Sequence, residues 1–391
     1  MIAVTLDHVE PPPRLDVRLR RPALTAPAPR QVSWGRVAGF VGAGAERVLV
    51  KVDGVLRGSQ EPVGGRFELW VDLPKRDVRV RVVAENAAGE RKASVVTPVY
   101  GLPRAGRPTG WRPATEDAAL ARRLRGLVRD HPGIAAVFVQ DLRTRRGAAW
   151  NARARFPAAS TVKLAIAAEV LRRLRGLPPR DSSVDRLLWA MLVYSDNAAA
   201  NALLEWIGGS TSVGASRVTA MLRSLGISDT GMYGGYLTGG GSRPIPLTVE
   251  EQPSFVGKYT SAWDLAQLHT QVHTGARGLG RLVRLEGSFT PADARYLLWV
   301  LAHVTDRDKL DRYLPGRVAV LHKAGWITEA RHDAGLVYWR GGSYVAAVMT
   351  WSSAGAGASS DVLAGRVALA ALRRFQELRL SVQADLDGST A

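Results

Sequence analysis

Three short segments of the chain hold residues that could do chemistry. Ser160 is followed three residues later by Lys163, and no other serine in the chain has a lysine at that spacing. Ser195-Asp196-Asn197 closes the apolar run Leu187–Val193, and His322-Lys323-Ala324-Gly325 precedes Trp326 at the end of a strand-like stretch. A serine hydroxyl is a poor nucleophile until a neighbour takes its proton. A lysine can take it when burial or nearby cations lower its pKa. Taken singly, each segment has a commonplace reading: a serine helix cap beside a solvated lysine, a polar helix break, and a solvated charge at a strand edge.

The elements around these segments give them positions. Val162, Ile166, Val170 and Leu174 recur at helical spacing, which predicts a helix from Ser160 to Leu174 with Lys163 one turn from Ser160 on the same face. The start of that helix would offer unpaired N–H groups and the positive end of the helix dipole. A second helix is expected over about Val184 to Tyr194, another opening at Ser261, and a last one over Asp361 to Leu378. Strands are expected over Ile134–Leu142, Val318–Leu321, Leu336–Trp339 and Tyr344–Trp351, and a polar, glycine-rich loop over Gly226 to Lys258. Helices in the middle with strands from both ends imply an α+β domain whose sheet joins chain-distant segments.

Ahead of this domain the hydrophobic period changes to two. Val48, Val50 and Val52 alternate before Asp53-Gly54, and Phe67, Leu69 and Val71, then Val78, Val80 and Val82, do the same. That pattern predicts a small antiparallel sandwich. The expected organisation is a disordered Pro/Arg-rich leader (1–30), a sandwich (31–100), a Pro/Gly linker (101–114), the α+β domain (115–380) and a flexible tail (381–391).

A chain of 391 residues with a formal charge of +18 and no cysteine can form real cores but no disulfide, thiolate nucleophile or cysteine metal site. Arginine supplies most of the charge and is scattered, which suits association with anionic envelope polymers and matches no nucleic-acid motif. No apolar run approaches the roughly 20 residues that span a bilayer. The first 30 residues lack the hydrophobic core of an export signal.

Together the three segments resemble the penicillin-recognising serine enzymes, specifically the class A β-lactamase-like family, whose S-x-x-K, S-D-N and K-T-G signatures follow one another in this order, the third standing here as Lys323-Ala324-Gly325. The resemblance extends over Thr115 to Leu380 and includes Arg155-Phe156-Pro157, Leu222-Arg223-Ser224-Leu225-Gly226, Tyr259-Thr260-Ser261 and His332-Asp333-Ala334-Gly335. The N-terminal pattern is similar to the bacterial immunoglobulin-like modules appended to extracellular enzymes. The implied fold is an immunoglobulin-like sandwich followed by a β-lactamase-like domain, and the implied activity is hydrolysis through an acyl-serine on β-lactams or related amides and esters, without cofactor or metal. The family would place the protein outside the cytoplasm, acting on a β-lactam or a wall-peptide-like substrate.

By the same resemblance Ser160 is the nucleophile, Lys163 its proton acceptor, Ser195 a proton relay and Lys323 a source of positive charge. Asn197, Ala324, Gly325 and Trp326 would bind substrate, with the N–H groups of Ser160 and Trp326 as oxyanion hole. Asp196 and Asn201 would hold the S-D-N turn, and His322 and His332 would serve as structural hydrogen-bonding groups.

Two departures bear on turnover. The glutamate of an E-x-x-L-N setting, which activates the deacylating water in the family, has no counterpart after Gly226; Glu250 and Glu251 come late in that loop. Ala324 replaces a hydroxyl residue, which removes a bond to a substrate carboxylate worth about 1 to 2 kcal/mol. The competing expectation is therefore a catalytically impaired penicillin-binding-like or wall-binding protein.

Overall fold

The computed structural model describes residues 19–110, 112–237 and 257–388. The chain divides into two compact units. The first comprises the described residues up to Ala28 with Arg36–Val71 and Arg79–Thr97, and the second comprises Pro29–Gly35, Asp72–Val78 and Pro98 onward.

The N-terminal strands are β1 (Ala23–Ala26), β2 (Gln31–Ser33), β3 (Arg36–Phe40), β4 (Arg47–Val52), β5 (Val55–Gln60), β6 (Arg66–Trp70), β7 (Asp77–Glu85) and β8 (Arg91–Gly101). In the first unit β3 lies between β1 and β6, and β4 pairs with both β5 and β7, every pair antiparallel. Val48, Val50, Val52, Phe67, Val80 and Val82 are buried, as the period of two requires. The Asp53-Gly54 turn between β4 and β5 takes positive φ at both residues, the conformation that matches the twist of a two-residue hairpin. The leader expected to be disordered over 1–30 is corrected in part. Residues 1–18 lie outside the described residues, but Ala23–Ala26 is a strand paired to β3, because Pro22 and Pro27 flank it and remove no ladder donor.

The second unit adds β9 (Thr115–Glu116), α1 (Ala118–Arg129), β10 (Ile134–Asp141), β11 (Arg146–Trp150), β12 (Phe156–Pro157), α2 (Lys163–Arg173), α3 (Ser183–Val193), α4 (Asn197–Gly208) and α5 (Thr211–Ser224). Then come β13 (Tyr259–Thr260), α6 (Ala262–Gly275), α7 (Pro291–Leu301), β14 (Ala319–Trp326), β15 (Ala330–Trp339), β16 (Gly342–Trp351) and α8 (Ala358–Gly388). Its main sheet runs β14-β15-β16-β10-β11-β9. It joins chain-distant strands, with Val137 opposite Val348 across β10 and β16.

Strands β15 and β16 are buried almost end to end because helices cover both faces of the sheet. Leu336, Tyr338, Val345 and Ala347 face the core that contains α2, α4 and α6, whereas Val337, Trp339, Tyr344 and Ala346 face α1 and α8. Helix α2 runs through the first of these cores and is buried from Lys163 to Leu171. Its one internal carboxylate, Glu169, is neutralised by Arg172 and Arg173.

Three helices were not expected from apolar period alone: α4, α5 and α7. Each carries a side-chain N-cap, from Asp196, Ser210 and Thr290 respectively, and Thr290 with Asp293 forms a full capping box ahead of Pro291. Those caps are the sequence signal that marks them. The tail expected to be flexible from 381 is instead helical in α8 as far as Gly388, with no proline to interrupt it.

Candidate active site

Local turns present each of the three segments to one cleft. β12 pairs with β13, and just beyond it the Ala158 N–H donates to the Lys258 carbonyl at 2.8 Å. Ala159 takes φ +46°, a left-handed conformation that costs an alanine about 1 kcal/mol or more, and the chain turns through Ser160. Thr161 closes the turn, its hydroxyl donating to the Ala158 carbonyl at 2.6 Å. From the sheet side His332 Nε2 meets the Pro157 carbonyl at 2.7 Å, while its Nδ1 accepts from the Thr350 N–H at 3.2 Å. That pair of bonds requires a neutral imidazole protonated on Nε2, and burial holds its pKa down at about 4.

The helix expected to open at Ser160 opens at Lys163 instead, and Ser160–Val162 form a tighter turn with Lys163 N–H bonded to the Ser160 carbonyl at 3.2 Å. Ser160 is therefore not the helix cap. Its hydroxyl makes no hydrogen bond among the described residues, to Lys163 or to any other group, and it lines the cleft.

At the second segment Tyr194 ends α3, Ser195 takes φ +60° and Asp196 caps α4 by accepting from the Ala199 N–H at 2.6 Å. The left-handed residue turns Ser195 toward Lys163. Lys163 Nζ donates to the Ser195 carbonyl at 2.6 Å and to Asn197 Oδ1 at 2.7 Å, and lies 3.5 Å from Ser195 Oγ. Lys323, on edge strand β14, is fully buried, and its Nζ donates to Ser195 Oγ at 3.0 Å and to the Ala324 carbonyl at 2.9 Å. The Ser195 hydroxyl thus bridges two amines.

The surroundings separate the two amines. Burial lowers Lys163 to about 7, with the charges of Lys323 and Lys258 acting in the same direction and Asp196 opposing. Burial lowers Lys323 to about 8, with Asp306 and Asp333 opposing it and Lys309 acting in the same direction as burial. A neutral Lys163 has two N–H groups. Both are used on the Ser195 carbonyl and Asn197, which leaves the lone pair as proton acceptor.

Gly325 explains how β14 and the serine turn come together. A Cβ there would lie 2.6 Å from the Ser160 nitrogen and 2.8 Å from the Thr161 nitrogen. Of the residues expected to bind substrate, Asn197 and Trp326 line the cleft, and the Trp326 side chain is 63% exposed. Ala324 is buried in the strand and does not line the cleft. The cleft, about 800 Å³, has Tyr233, Tyr236 and Leu237 on its other wall.

That wall was not legible in advance. Asn201, expected to hold the S-D-N turn, instead clamps Tyr236, donating to its carbonyl at 2.7 Å and accepting from its N–H at 2.5 Å. Asn197 Nδ2 donates to the Leu237 carbonyl at 3.1 Å, and Lys258 donates to the Gly235 carbonyl. The Tyr236 ring thereby stands with its centroid 4.6 Å from Lys163 Nζ and 4.7 Å from Lys258 Nζ. Glu250 and Glu251 lie outside the described residues. His322 bonds Asp333 at 2.8 Å in the buried layer behind Lys323, a structural contact of the expected kind.

A family model described as "Beta-lactamase enzyme family" matches residues 119–177 and 174–375. A protein from Streptomyces lavendulae named "Beta-lactamase" is 27% identical over 282 residues, which cover 63% of this chain and 84% of that protein. Among solved structures, PBP-A is similar with a TM-score of 0.54 at 20% identity, covering 68% of this chain and 99% of the other. A PBP-A mutant solved as an acyl-enzyme complex with penicillin G gives a TM-score of 0.53 at 20% identity, covering 68% of this chain and 100% of the other. The β-lactamase from Streptosporangium roseum gives a TM-score of 0.51 at 20% identity, covering 66% and 99%. At these identities the structural likeness establishes the fold.

Proposed function

Because the chain belongs to the Beta-lactamase enzyme family, we propose that it is a serine hydrolase whose Ser160 is acylated by β-lactams or related amides and esters and then releases the acyl group slowly. The observation that carries this reading is the Ser195 hydroxyl held between Lys323 and Lys163, two amines with different surroundings. In acylation, Ser160 Oγ bonds to the substrate carbonyl carbon, and its proton passes to the Lys163 lone pair. The oxyanion is received by the N–H groups of Ser160 and Trp326. As the carbon–nitrogen bond breaks, the proton reaches the leaving nitrogen through Ser195, with Lys323 supplying positive charge.

The reading of slow release rests on the missing E-x-x-L-N glutamate after Gly226. The described wall over Lys163 is the aromatic ring of Tyr236, which cannot serve as base for a water. Asp196, whose charge acts on Lys163, is occupied as the cap of α4. The first unit is read as an immunoglobulin-like module acting as spacer or as a dock for anionic envelope polymers.

Exposure to a fluorescent penicillin, with mass spectrometry of the Ser160 peptide over time, tests the reading. A persistent adduct absent from Ser160→Ala is expected. A transient adduct would indicate lactamase turnover instead. No adduct would favour a wall-binding protein without catalysis, a reading supported by the Ser160 hydroxyl, which has no hydrogen bond among the described residues, and by Ala324.

The acylation rate should also depend on pH in a narrow bell. The acid limb lies near pH 7, where Lys163 loses its proton and becomes a base, and the basic limb lies near pH 8, where Lys323 loses its charge. Labelling rates between pH 5.5 and about 9.5 measure it. A rate that is flat across that range would remove both amines from the chemistry.

A further inference from the structure

A third lysine stands in the cleft beside the two that the mechanism uses. Lys258 lies between the described wall and β13, with its carbonyl tied to the serine turn through the Ala158 N–H. Its ammonium donates to the Gly235 carbonyl and lies over the ring that also faces Lys163. No carboxylate pairs with it among the described residues.

The choice of residue is informative. The chain holds seven lysines among its 53 cationic side chains, so arginine is its ordinary surface cation. Three of those seven, Lys163, Lys258 and Lys323, meet around Ser195 and Tyr236.

We propose that Lys258 is a positioning residue for the Ser160 reaction: its charge, seated on the same Tyr236 ring that Lys163 meets, helps to keep Lys163 in the proton-accepting form. Among the described residues the groups facing Lys163 are few. Lys323 approaches from β14, Asp196 from the start of α4, Lys258 from ahead of β13, and Ser195, Asn197 and Tyr236 are uncharged. Burial does most to disfavour the protonated amine and Lys323 adds to it, Asp196 opposes them, and Lys258 adds the smallest share; burial also lowers Lys258 itself. Asn201 fixes the Tyr236 backbone on both sides, so the ring that both amines meet is held in place. This inference rests on Ser160 being the acylated group.

The test compares the full chain with Lys258→Met and Lys258→Arg. In Lys258→Met, Lys163 loses a repelling neighbour and holds its proton to higher pH. The acid limb of the labelling profile should move up by about 0.5 to 1 pH unit, lowering the rate about 3- to 10-fold below the limb. Lys258→Arg keeps the charge and should keep the limb.

NMR titration of the lysine ε-carbons, with Lys163 assigned from Lys163→Met, reads the same shift without any substrate. A purely structural role would lower the rate equally at all pH values and leave both midpoints in place, and that result overturns the proposal. Absence of labelling in the unsubstituted protein sinks the acyl-serine reading instead, while the NMR midpoint still decides whether Lys258 acts on Lys163.

Discussion

Lys163→Met should lower the rate of Ser160 acylation by about 10²- to 10⁴-fold, the range expected when a positioned proton acceptor is removed. The thioether fills the space of the amine but can neither accept a proton nor donate one. It leaves the Ser195 carbonyl and Asn197 Oδ1 without the donor they share, so a loss of about 1–3 kcal/mol of stability should accompany the kinetic effect.

Lys163→Arg separates the two causes. It restores a cation and donors, yet a guanidinium does not deprotonate, so acylation should stay as slow as in the methionine variant. Single-turnover labelling alongside thermal melts measures both quantities. Recovery of the rate in Lys163→Arg would show that charge is what matters there, and the proton-acceptor role would fall.

Gly325→Ala is the second substitution with a large expected effect, and it touches no group that reacts. Gly325 does not have positive φ, so alanine is not excluded by conformation. What excludes it is contact: the new Cβ would meet the nitrogens of Ser160 and Thr161 at 2.6 and 2.8 Å, and the Ala159 Cβ at 3.1 Å. These are mainly backbone atoms of a turn already strained at Ala159, so β14 must move away from it.

The proposed oxyanion donors, one on the turn and the other on the strand, would then separate. Losing one such donor costs about 10²- to 10³-fold in rate. The two strands behind Gly325, β15 and β16, are covered on both faces, so the fold should persist, and near-UV circular dichroism checks that it does. An unchanged acylation rate in a folded Gly325→Ala protein would mean that the close approach does not hold the donors.

Much of the framework could be read in advance because it depends on local pattern. The alternation at Val48, Val50 and Val52 marked β4, the apolar run Tyr344–Trp351 marked β16, and the three motif segments marked the cleft. The start of α2 could not be read that way. The apolar repeat runs back to Val162 and predicts a helix from Ser160, but the left-handed Ala159 turns the chain so that helical bonding begins at Lys163. Asn201 was also beyond reach, since it acts on a residue 35 positions away in the chain.

The sequence by itself determined which groups were available: a serine with a lysine one turn on, a polar break after an apolar helix, a lysine at a strand end, and lysine kept rare where arginine was plentiful. The tertiary structure alone decided their states. It buried Lys163 and Lys323 beside Ser195, set Asp306 and Asp333 near Lys323 and the charges of Lys323 and Lys258 near Lys163, placed both Lys163 and Lys258 on the Tyr236 ring, and brought Gly325 against the serine turn. The physical reason is that proton affinity and close contact are set by burial and by charges through space, and these come from segments that sequence spacing does not relate.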